Sequence, residues 1–316
     1  MKYVCKRILM LLVTMVIVSL LAFAAFELIH GSAAEIMLGT QATPERVAEL
    51  EAELGLDRPF AVRYLEWLAG FFTGDLGISY SYSQPVWELI APKVGITLCL
   101  SLLSFALIAV VSIPLGLWAS RGHSRVGDAV GTVLDQLCMA VPPFFTGILF
   151  TYLFGLVLHL FIAGAFPAGG VGHYIGYLFF PALAVALPRI AMTVKLLRTS
   201  ILDEAQRDYV RTSMSRGRSR SGILYRHVLK NTLVPVLTFL AMTVADLLAG
   251  SVVIEQVFAV PGLGRLLLTS IEGRDEPVAR AIVVLLAFAV ILCNLLADLL
   301  ARRIDPRLGS GAGGAA

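Results

Sequence analysis

Long runs without a charged residue are the feature that most limits how this chain can fold. Asp, Glu, Lys and Arg are absent from residues 8–26, 94–120 and 136–188. About 18–20 such residues cross the roughly 30 Å of bilayer hydrocarbon as one helix. The chain is 58% hydrophobic and 15% charged, whereas soluble domains are about 45–50% apolar and about 25% charged. The sequence therefore predicts a helical membrane protein with several spans and excludes a soluble globular fold.

The uncharged runs and two further apolar segments predict six spans. The run at 136–188 is too long for one helix and contains Pro167 and several glycines near its middle. It therefore divides into two spans joined by a turn. Asp246 interrupts the fifth span, and Asp298 lies near the end of the sixth. The predicted spans are 8–26, 94–120, 129–160, 175–198, 231–254 and 281–301.

The distribution of basic residues predicts which side of the membrane each loop faces, because cytoplasmic loops carry an excess of Lys and Arg. The 195–230 segment holds nine basic and three acidic residues, whereas the 31–93 loop holds four and nine. The N-terminal stub, the 121–128 loop and the tail are basic as well. Both termini are therefore expected in the cytoplasm. The alternative is a cleaved signal peptide at the first run, which is long for that purpose and lacks a typical cleavage site.

The outer 31–93 loop is expected to contain a short helix. Thr43 is a typical N-cap residue, Pro44 suits the first helical position, and Gly55 is suited to end the helix, which places it at 44–54. Such an element is either a contact surface for an external partner or a lid over a pathway. The alternative is a capped surface helix that only covers the bundle.

The cytoplasmic 199–230 loop is expected to contain an amphipathic helix. Ser200 and Asp203 match a capping box, apolar residues then recur at helical spacing, and Gly217 ends the helix. A short helix between two spans can transmit a push from a cytosolic partner into both of them. The alternative is a basic helix that lies on anionic lipid.

The sequence lacks the motifs of common hydrolytic sites. None of the five lysines follows a glycine, which excludes a phosphate-binding G-x-x-x-x-G-K-[ST] loop. The motifs H-E-x-x-H and G-x-S-x-G are absent, and the histidines and cysteines are too scattered to predict a metal site. We expect no catalytic residue, no cofactor, no metal and no nucleic-acid partner. Any ATP must be hydrolysed by another polypeptide.

Charged residues within predicted spans are the candidates for a polar pathway. A charge at the bilayer centre costs roughly 2.5–3.5 kcal/mol on insertion scales, so such side chains face water or one another. Asp246 in span five is expected to pair with Arg189 in span four. The alternative is that Asp246 only holds helices together or lies shifted toward the outer interface.

Four residue patterns follow one another along nearly the whole chain. The first is Glu53-Leu54-Gly55-Leu56-Asp57-Arg58-Pro59 with Gly74-Asp75-Leu76-Gly77. The second is Asp208-Tyr209-Val210-Arg211-Thr212 with Gly217 and Arg226-His227-x-Leu229-x-Asn231. The third is Glu255-x-x-Phe258-x-x-Pro261-Gly262-x-Gly264-Arg265, and the fourth is Asn294-Leu295-x-x-Asp298 with Asp305-Pro306-Arg307. Together they resemble the inner-membrane permeases of ABC importers for dipeptides, oligopeptides and nickel.

The resemblance implies a fold and a domain organisation. The fold is an all-α integral membrane bundle of six helices, the type-1 ABC importer permease, in the inner (plasma) membrane of a bacterium or archaeon. The implied segments are an N-terminal transmembrane helix at 1–30, an extracytoplasmic loop at 31–93, the transmembrane domain at 94–301 and a cytoplasmic tail at 302–316, disordered toward its end.

The resemblance also implies a function. The chain would form half of the translocation pathway for dipeptides, oligopeptides or nickel chelates. Its partners would be a second, usually different permease subunit, two cytosolic ABC ATPases and an extracytoplasmic substrate-binding protein. The helix at 200–222 would seat in the ATPase, and Gly217 would adopt a positive φ there.

The residues that the resemblance points to form two groups, beside the polar candidates Asp246 and Arg189. The resemblance assigns ATPase coupling to Glu204, Tyr209, Arg211, Gly217 and His227. It assigns the outer gate to Glu255, Phe258, Pro261, Gly262 and Gly264. An ordinary turn between two spans is the alternative for the gate segment.

Two other classes of function compete with this interpretation. A secondary transporter driven by an ion gradient would need a coupling acid at the midplane, for which Asp246 is the single candidate. An intramembrane enzyme would need a nucleophile and a base at membrane depth, and no serine-histidine or paired-aspartate arrangement suggests one.

The charge distribution makes a topological prediction. A cysteine engineered at Ser219, in a background free of the native cysteines, should react with a membrane-impermeant maleimide only from the cytoplasmic face. The reason is that Ser219 lies in the 195–230 segment, whose nine basic residues favour the cytoplasmic side. Labelling of intact cells or spheroplasts from outside would contradict the orientation. A cysteine at Glu49 in the acidic loop is the matched control and should react only from outside.

Overall fold

The computed structural model describes residues 2–27, 33–39, 42–53, 55–121, 125–167 and 171–304. Throughout these ranges the regular elements are helices, and an isolated β-bridge pairs Ile78 with Pro85. Most of the predicted tail at 302–316 lies outside the described residues.

Helices follow one another along the described chain. In order they are α1 (Lys2–Glu27), α2 (Ala33–Leu38), α3 (Pro44–Glu53), α4 (Phe60–Thr73), α5 (Val86–Ala119), α6 (Arg125–Ala140), α7 (Pro143–Phe150), α8 (Val171–Ala205), α9 (Asp208–Ser215), α10 (Arg220–Ile223), α11 (Leu229–Val257), α12 (Leu263–Glu272) and α13 (Glu276–Ile304). A π-helical segment extends α7 through Thr151–Val157, and another at Leu224–Val228 joins α10 to α11.

Five segments of the described chain are helices long and apolar enough to cross a membrane. These segments are Arg7–Glu27, Val86–Ala119, Gly172–Ala205, Ser221–Val257 and Glu276–Ala301. They contain five of the six predicted spans almost entirely. All exceed the roughly 20 residues that one crossing needs.

The third predicted span, 129–160, is not one helix. Its two parts, Val126–Ala140 and Pro143–Val157, meet at a bend of 98°, which makes the pair a broken span or a re-entrant loop. Pro142 is the N-cap of α7 and Pro143 occupies its first turn. Neither proline has an amide hydrogen to continue the helical ladder, so the chain restarts there in a new direction.

The chain divides into two compact units. The first consists of residues 1–98 and 259–292, and the second of residues 99–258 and 293–316. The first unit has an apolar core in which Val86 and Ile90 of α5 are fully buried, together with Val278 and Ile282 of α13.

In the first unit, α1 packs against α4 and α13 through aromatic and charged side chains. The ring of Phe23 lies edge-on to Phe60 and Tyr64, with ring centroids 5.2 and 5.5 Å apart. The Arg280 guanidinium lies 4.0 Å from the centroid of the Phe23 ring, and Arg280 also pairs with Glu276 at 3.1 Å. A cation over an aromatic face is stabilising, more so when water is excluded.

A buried carboxylate organises the turn that precedes α5. Asp275, which has no exposed surface, accepts hydrogen bonds from the Ser79 hydroxyl and from the amides of Tyr80 at 3.1 Å and Ser81 at 3.3 Å. Three donors compensate the loss of solvation of the buried charge. The sequence patterns did not identify this role, because Asp275 lies about 195 residues from its donors.

The outer helices follow the predicted local rules. Thr43 accepts a hydrogen bond from the Arg46 amide at 3.4 Å, and Gly55 has φ +66° just after α3, so the predicted cap and stop are confirmed. The next helix, α4, ends where Gly74 adopts φ +85°. A left-handed glycine after the last turn is a common helix end.

In the second unit, α8 is the central helix. It packs on α6, α7 and α11, and most of its residues between Tyr177 and Val194 are buried. Gly116 of α5 approaches α8 so closely that a Cβ there would lie 2.8 Å from Leu197. Small residues at such crossings allow helix backbones to come together.

Candidate functional site

The cytoplasmic segment differs from the predicted single helix at 200–222. The ladder of α8 continues to Ala205, so Ser200 lies inside that helix and the predicted capping box with Asp203 is wrong. The amphipathic helix is instead α9, which begins after Arg207 adopts an extended conformation with ψ 147°. Residues that are common at helix starts, such as Ser and Asp, also occur inside helices. Packing on either side decides whether such a helix continues, so the sequence pattern was misleading here.

Four polar side chains meet where α8, α9 and α11 come together, and we call them the Glu204 cluster. Glu204 accepts hydrogen bonds from the Tyr209 hydroxyl and the Asn231 amide, both at 2.9 Å. The Arg207 guanidinium lies 3.5 Å from the other carboxylate oxygen. One carboxylate therefore joins the end of α8, the start of α9 and the first turn of α11.

The protonation of Tyr209 supports its role as the donor in this cluster. Burial raises the pKa of the Tyr209 hydroxyl above its ordinary value, and the hydrogen bond to the Glu204 carboxylate raises it further. The ordinary pKa of tyrosine already lies well above neutral pH, and the upward shift moves it further away, so the protonated hydroxyl donates to Glu204.

Gly217 lies in the turn between α9 and α10. Its φ is +79°, as the sequence predicted, and its amide donates to the Met214 carbonyl at 2.9 Å. No atom lies within 4 Å of the position that a Cβ would occupy, so the requirement for glycine comes from the backbone angle and not from crowding.

The other two predicted coupling residues lie outside the Glu204 cluster. His227, in the π-helical segment before α11, accepts a hydrogen bond at Nε2 from Arg218, 2.8 Å away. This contact links the turn after α9 to that segment. Arg211 is exposed on α9.

A cavity of about 710 Å³, missed by sequence reasoning, opens beside α9. Its apolar lining comes mainly from α8, α9 and the segment before α11. At its edge, Arg121 donates a hydrogen bond to the Tyr225 hydroxyl, and its guanidinium lies 5.9 Å from the centroid of the Tyr225 ring. The lining residues are Ser120, Arg121, Ile201, Leu202, Ala205, Val210, Met214, Ser221, Ile223, Leu224, Tyr225 and Val228.

Two of the predicted gate residues end α11. Glu255 and Phe258 are both fully buried. The Phe258 carbonyl accepts a hydrogen bond from the Tyr177 hydroxyl at 2.8 Å, and its ring lies 5.7 Å from that of Phe161. Gly147 of α7 makes room for these side chains, since a Cβ there would lie 3.1 Å from Phe258.

The remaining predicted gate residues belong to the first unit. Pro261 and Gly262 form the turn before α12, and Gly264 lies buried in its first turn. The Leu263 amide donates to Thr97 Oγ1 at 2.9 Å, which anchors the start of α12 to α5.

The left-handed residue of this turn is not one of its glycines. Ala259 has φ +52°, a conformation that costs about 1–2 kcal/mol in a residue with a β-carbon. Its carbonyl accepts a hydrogen bond from Arg265 Nη1 at 2.7 Å. A strained backbone held by a charged donor is typical of a functional turn.

Arg189 and Asp246 form the ion pair that the sequence predicted, with 2.9 Å between Arg189 Nη2 and Asp246 Oδ2. Asp246 lies 11 residues before the end of α11 at Val257, or about 16 Å along the helix. Arg189 lies near the middle of the Gly172–Ala205 segment. The pair therefore lies deep within the bilayer.

Bilayer-length helices, a basic helical segment between two of them and an ion pair between two spans together define a multi-pass membrane protein. Residues 112–310 match the family described as binding-protein-dependent transport system inner membrane component, and residues 1–101 match its N-terminal region. The chain belongs to this family and is an inner-membrane permease subunit of an ABC importer.

Curated relatives match over almost their whole length. A putative peptide transport system permease protein of Brucella abortus (strain 2308) is 37% identical over 96% of this chain and 98% of its own. The dipeptide transport system permease protein DppB of Escherichia coli (strain K12) is 32% identical over 97% and 98%. A probable peptide ABC transporter permease of Sinorhizobium fredii (strain NBRC 101917 / NGR234) is 30% identical over 97% and 98%.

Solved structures support the fold. A chain of the MetNI methionine ABC transporter in an inward-facing conformation aligns with a TM-score of 0.55 and 16% identity. The alignment covers 69% of this chain and 96% of that one. At this identity the likeness shows the fold alone, the all-α type-1 permease bundle.

The Glu204 cluster makes a testable prediction. Glu204→Ala removes the acceptor for both Tyr209, which is half-buried, and Asn231, which is exposed, and should destabilise the local structure by about 0.5–1.5 kcal/mol for each hydrogen bond lost. Hydrogen–deuterium exchange of the 208–215 amides should become faster. Asp203→Ala, one residue away and exposed, is the matched control and should leave exchange unchanged. Equal protection in both variants would contradict the role assigned to Glu204.

Proposed function

We propose that this permease forms half of the translocation pathway of an importer for dipeptides or oligopeptides. The observation that carries the cargo assignment is the near full-length similarity to permeases whose names specify peptides or dipeptides. The same names favour peptides over nickel chelates, the other cargo class that the motifs implied. The pathway would be completed by a second, homologous permease subunit.

The energy for import would come from two separate ABC ATPase subunits that seat on α9. This short helix follows the central helix α8 and lies in the segment with nine basic residues, which faces the cytoplasm. The Glu204 cluster links α9 to α8 and α11. A displacement of α9 by an ATPase would therefore act on two spans at once, the property that a coupling element requires.

The contacts or the exposure of each predicted coupling residue support a role for it. Glu204 and Tyr209 would fix the angle between α8 and α9, whereas Arg211, exposed on α9, would contact the ATPase directly. Gly217 would shape the turn at the far end of α9. His227, through Arg218, would connect that turn to the start of α11.

The outer gate would be formed by the segment from the end of α11 to the start of α12. Its anchors are Phe258, through the Tyr177 hydroxyl, and Leu263, through Thr97. Between these anchors lies the strained Ala259. A strained turn suits a segment that changes conformation when a loaded binding protein docks outside.

The cargo assignment is tested by uptake. Cells that lack the gene for this chain should lose ATP-dependent uptake of a radiolabelled dipeptide and growth on that dipeptide as a required amino-acid source. Re-expression of the chain should restore both, and uptake of the free amino acid is the control that should not change. Uptake that persists when ATP is exhausted and only a proton or sodium gradient remains would instead favour a secondary transporter.

The coupling assignment is tested at Gly217. Gly217→Val should reduce ATP-driven uptake at least roughly tenfold, because a β-branched residue is strongly disfavoured at φ +79°. Co-purification of the ATPase subunits or stimulation of their ATPase activity should fall with it. Gly217→Asn is the matched control, because asparagine tolerates left-handed angles, and it should retain most activity. Normal uptake and normal ATPase co-purification in Gly217→Val would refute the assignment.

A further inference from the structure

Asp246, the partner of Arg189, lies within an uncovered stripe of α11. The stripe consists of Met242, Asp246, Ala249, Val253 and Gln256, which follow one another at helical spacing and are all exposed. The opposite face of α11 is buried in the second unit, where its residues include Leu240, Thr243, Leu247, Ser251 and Ile254. In the assembled importer this stripe must be covered by lipid, by another subunit or by the water of the pathway.

Lipid is excluded on energetic grounds. The side chain of Asp246 is 52% exposed and that of Arg189 is 30% exposed, and both lie at bilayer depth, so a lipid-facing stripe would place two charges in hydrocarbon. Charged side chains at this depth face a water-filled cavity or protein. If the pair served only to hold α8 and α11 together, both side chains could be enclosed between these helices. Their exposure therefore indicates that they face a further environment.

The two ends of a peptide carry the same two charges as this pair. A free peptide has an ammonium group at one end and a carboxylate at the other. Asp246 is a carboxylate that can accept from the ammonium group. Arg189 is a planar guanidinium that can bind the carboxylate through two parallel hydrogen bonds.

We propose that Arg189 and Asp246 are a binding site for the charged termini of a zwitterionic peptide within the pathway. The inference rests on the proposed function, which it deepens by naming the residues that handle the cargo. When the pathway is empty, the two side chains neutralise each other at 2.9 Å. When the peptide arrives, each exchanges its partner for one peptide terminus.

This exchange leaves no charge unpaired in the bilayer at either stage. A charge that loses its partner at this depth is unfavourable, whereas exchanging both partners leaves each charge with a counter-charge. A cargo with one blocked terminus would leave either Arg189 or Asp246 without a counter-charge. The pair therefore discriminates in favour of cargo that carries both free termini.

The surroundings of Arg189 permit this movement. Within the part of the chain that the structure describes, the hydrogen-bond partner of its guanidinium besides Asp246 is the Met192 sulfur, at 3.9 Å, which is a weak acceptor. Two residues of extended chain span up to about 7 Å, so the arginine must swing away from Asp246 to admit a dipeptide between the charges. Its backbone stays fixed, since its carbonyl accepts a hydrogen bond from the buried Thr193 hydroxyl at 2.7 Å.

The test uses the complete importer with its own binding protein and ATPases. In Arg189→Met/Asp246→Leu, two apolar side chains replace the pair, a change that usually preserves or increases stability when a buried ion pair serves only packing. We expect the maximal rate of dipeptide uptake to fall at least roughly tenfold, because the charged partners of the cargo are lost. The half-saturating concentration, which the external binding protein would set, should stay unchanged.

A second ion pair on the same helix provides the matched control. Arg198 on α8 pairs with Asp128 on α6 at 2.9 Å. The double variant Arg198→Met/Asp128→Leu should change the maximal rate less than roughly twofold, because a structural pair tolerates apolar replacement. A charge reversal, Arg189→Asp/Asp246→Arg, keeps both charges at the site and should recover a substantial part of the uptake that the apolar variant loses.

The outcomes separate this inference from the function on which it rests. If the unmodified importer takes up no peptide, the proposed function fails and the inference fails with it. If the unmodified importer takes up peptide and the apolar Arg189–Asp246 variant does so at the same maximal rate, only the inference is overturned. If that variant loses the second permease subunit on purification, the stripe is a subunit interface, which also overturns the inference.

Discussion

Charges within the low-dielectric bilayer must satisfy one another, and the second unit of this permease depends on that constraint. The central helix α8 carries two arginines that are paired on different sides, Arg189 with Asp246 on α11 and Arg198 with Asp128 on α6. The first pair avoids the cost of an isolated charge in hydrocarbon, whereas the second joins the 121–128 and 195–230 segments at the predicted cytoplasmic side. Because such a pair tolerates little separation, the apolar packing of α8 against its neighbours must keep a register that leaves both pairs intact.

At the cytoplasmic end of α8, hydrogen bonds form a mechanical link between helices. The last turns of α8, the short helix α9 and the first turn of α11 share one carboxylate, that of Glu204. Neither α9 nor the turn at Gly217 has an extensive apolar core of its own. Hydrogen bonds, which depend strongly on direction, therefore determine how a displacement of α9 reaches the spans.

In the first unit, buried charges are likewise compensated by specific partners. Asp275 is fully buried, and three donors from residues 79–81 compensate its charge. Nearby along α13, Arg280 is held between Glu276 and the Phe23 ring. At these positions, specific partners compensate the charge of a buried side chain.

Much of the fold was predictable from the sequence, because its determinants act over short stretches of chain. Hydropathy located five of the spans, turn chemistry predicted the cap at Thr43 and the stop at Gly55, and the family resemblance implied the positive φ at Gly217. The orientation assigned from loop charge stays a prediction. The pairing of Arg189 with Asp246 was also predictable, since a charge in a span needs a partner. The roles proposed for the gate and coupling residues stay predictions, although the sequence motifs pointed to them.

Tertiary structure alone decided the features that depend on contacts between distant residues. The third span bends by 98° at Pro142 and Pro143, although its hydropathy suggested one continuous helix. The ladder of α8 passes through Ser200, although that residue resembles a cap. Sequence determined which segments enter the bilayer, because transfer from water is a property of each segment. Which side chains meet there depends on packing geometry, and no short stretch of sequence specifies that geometry.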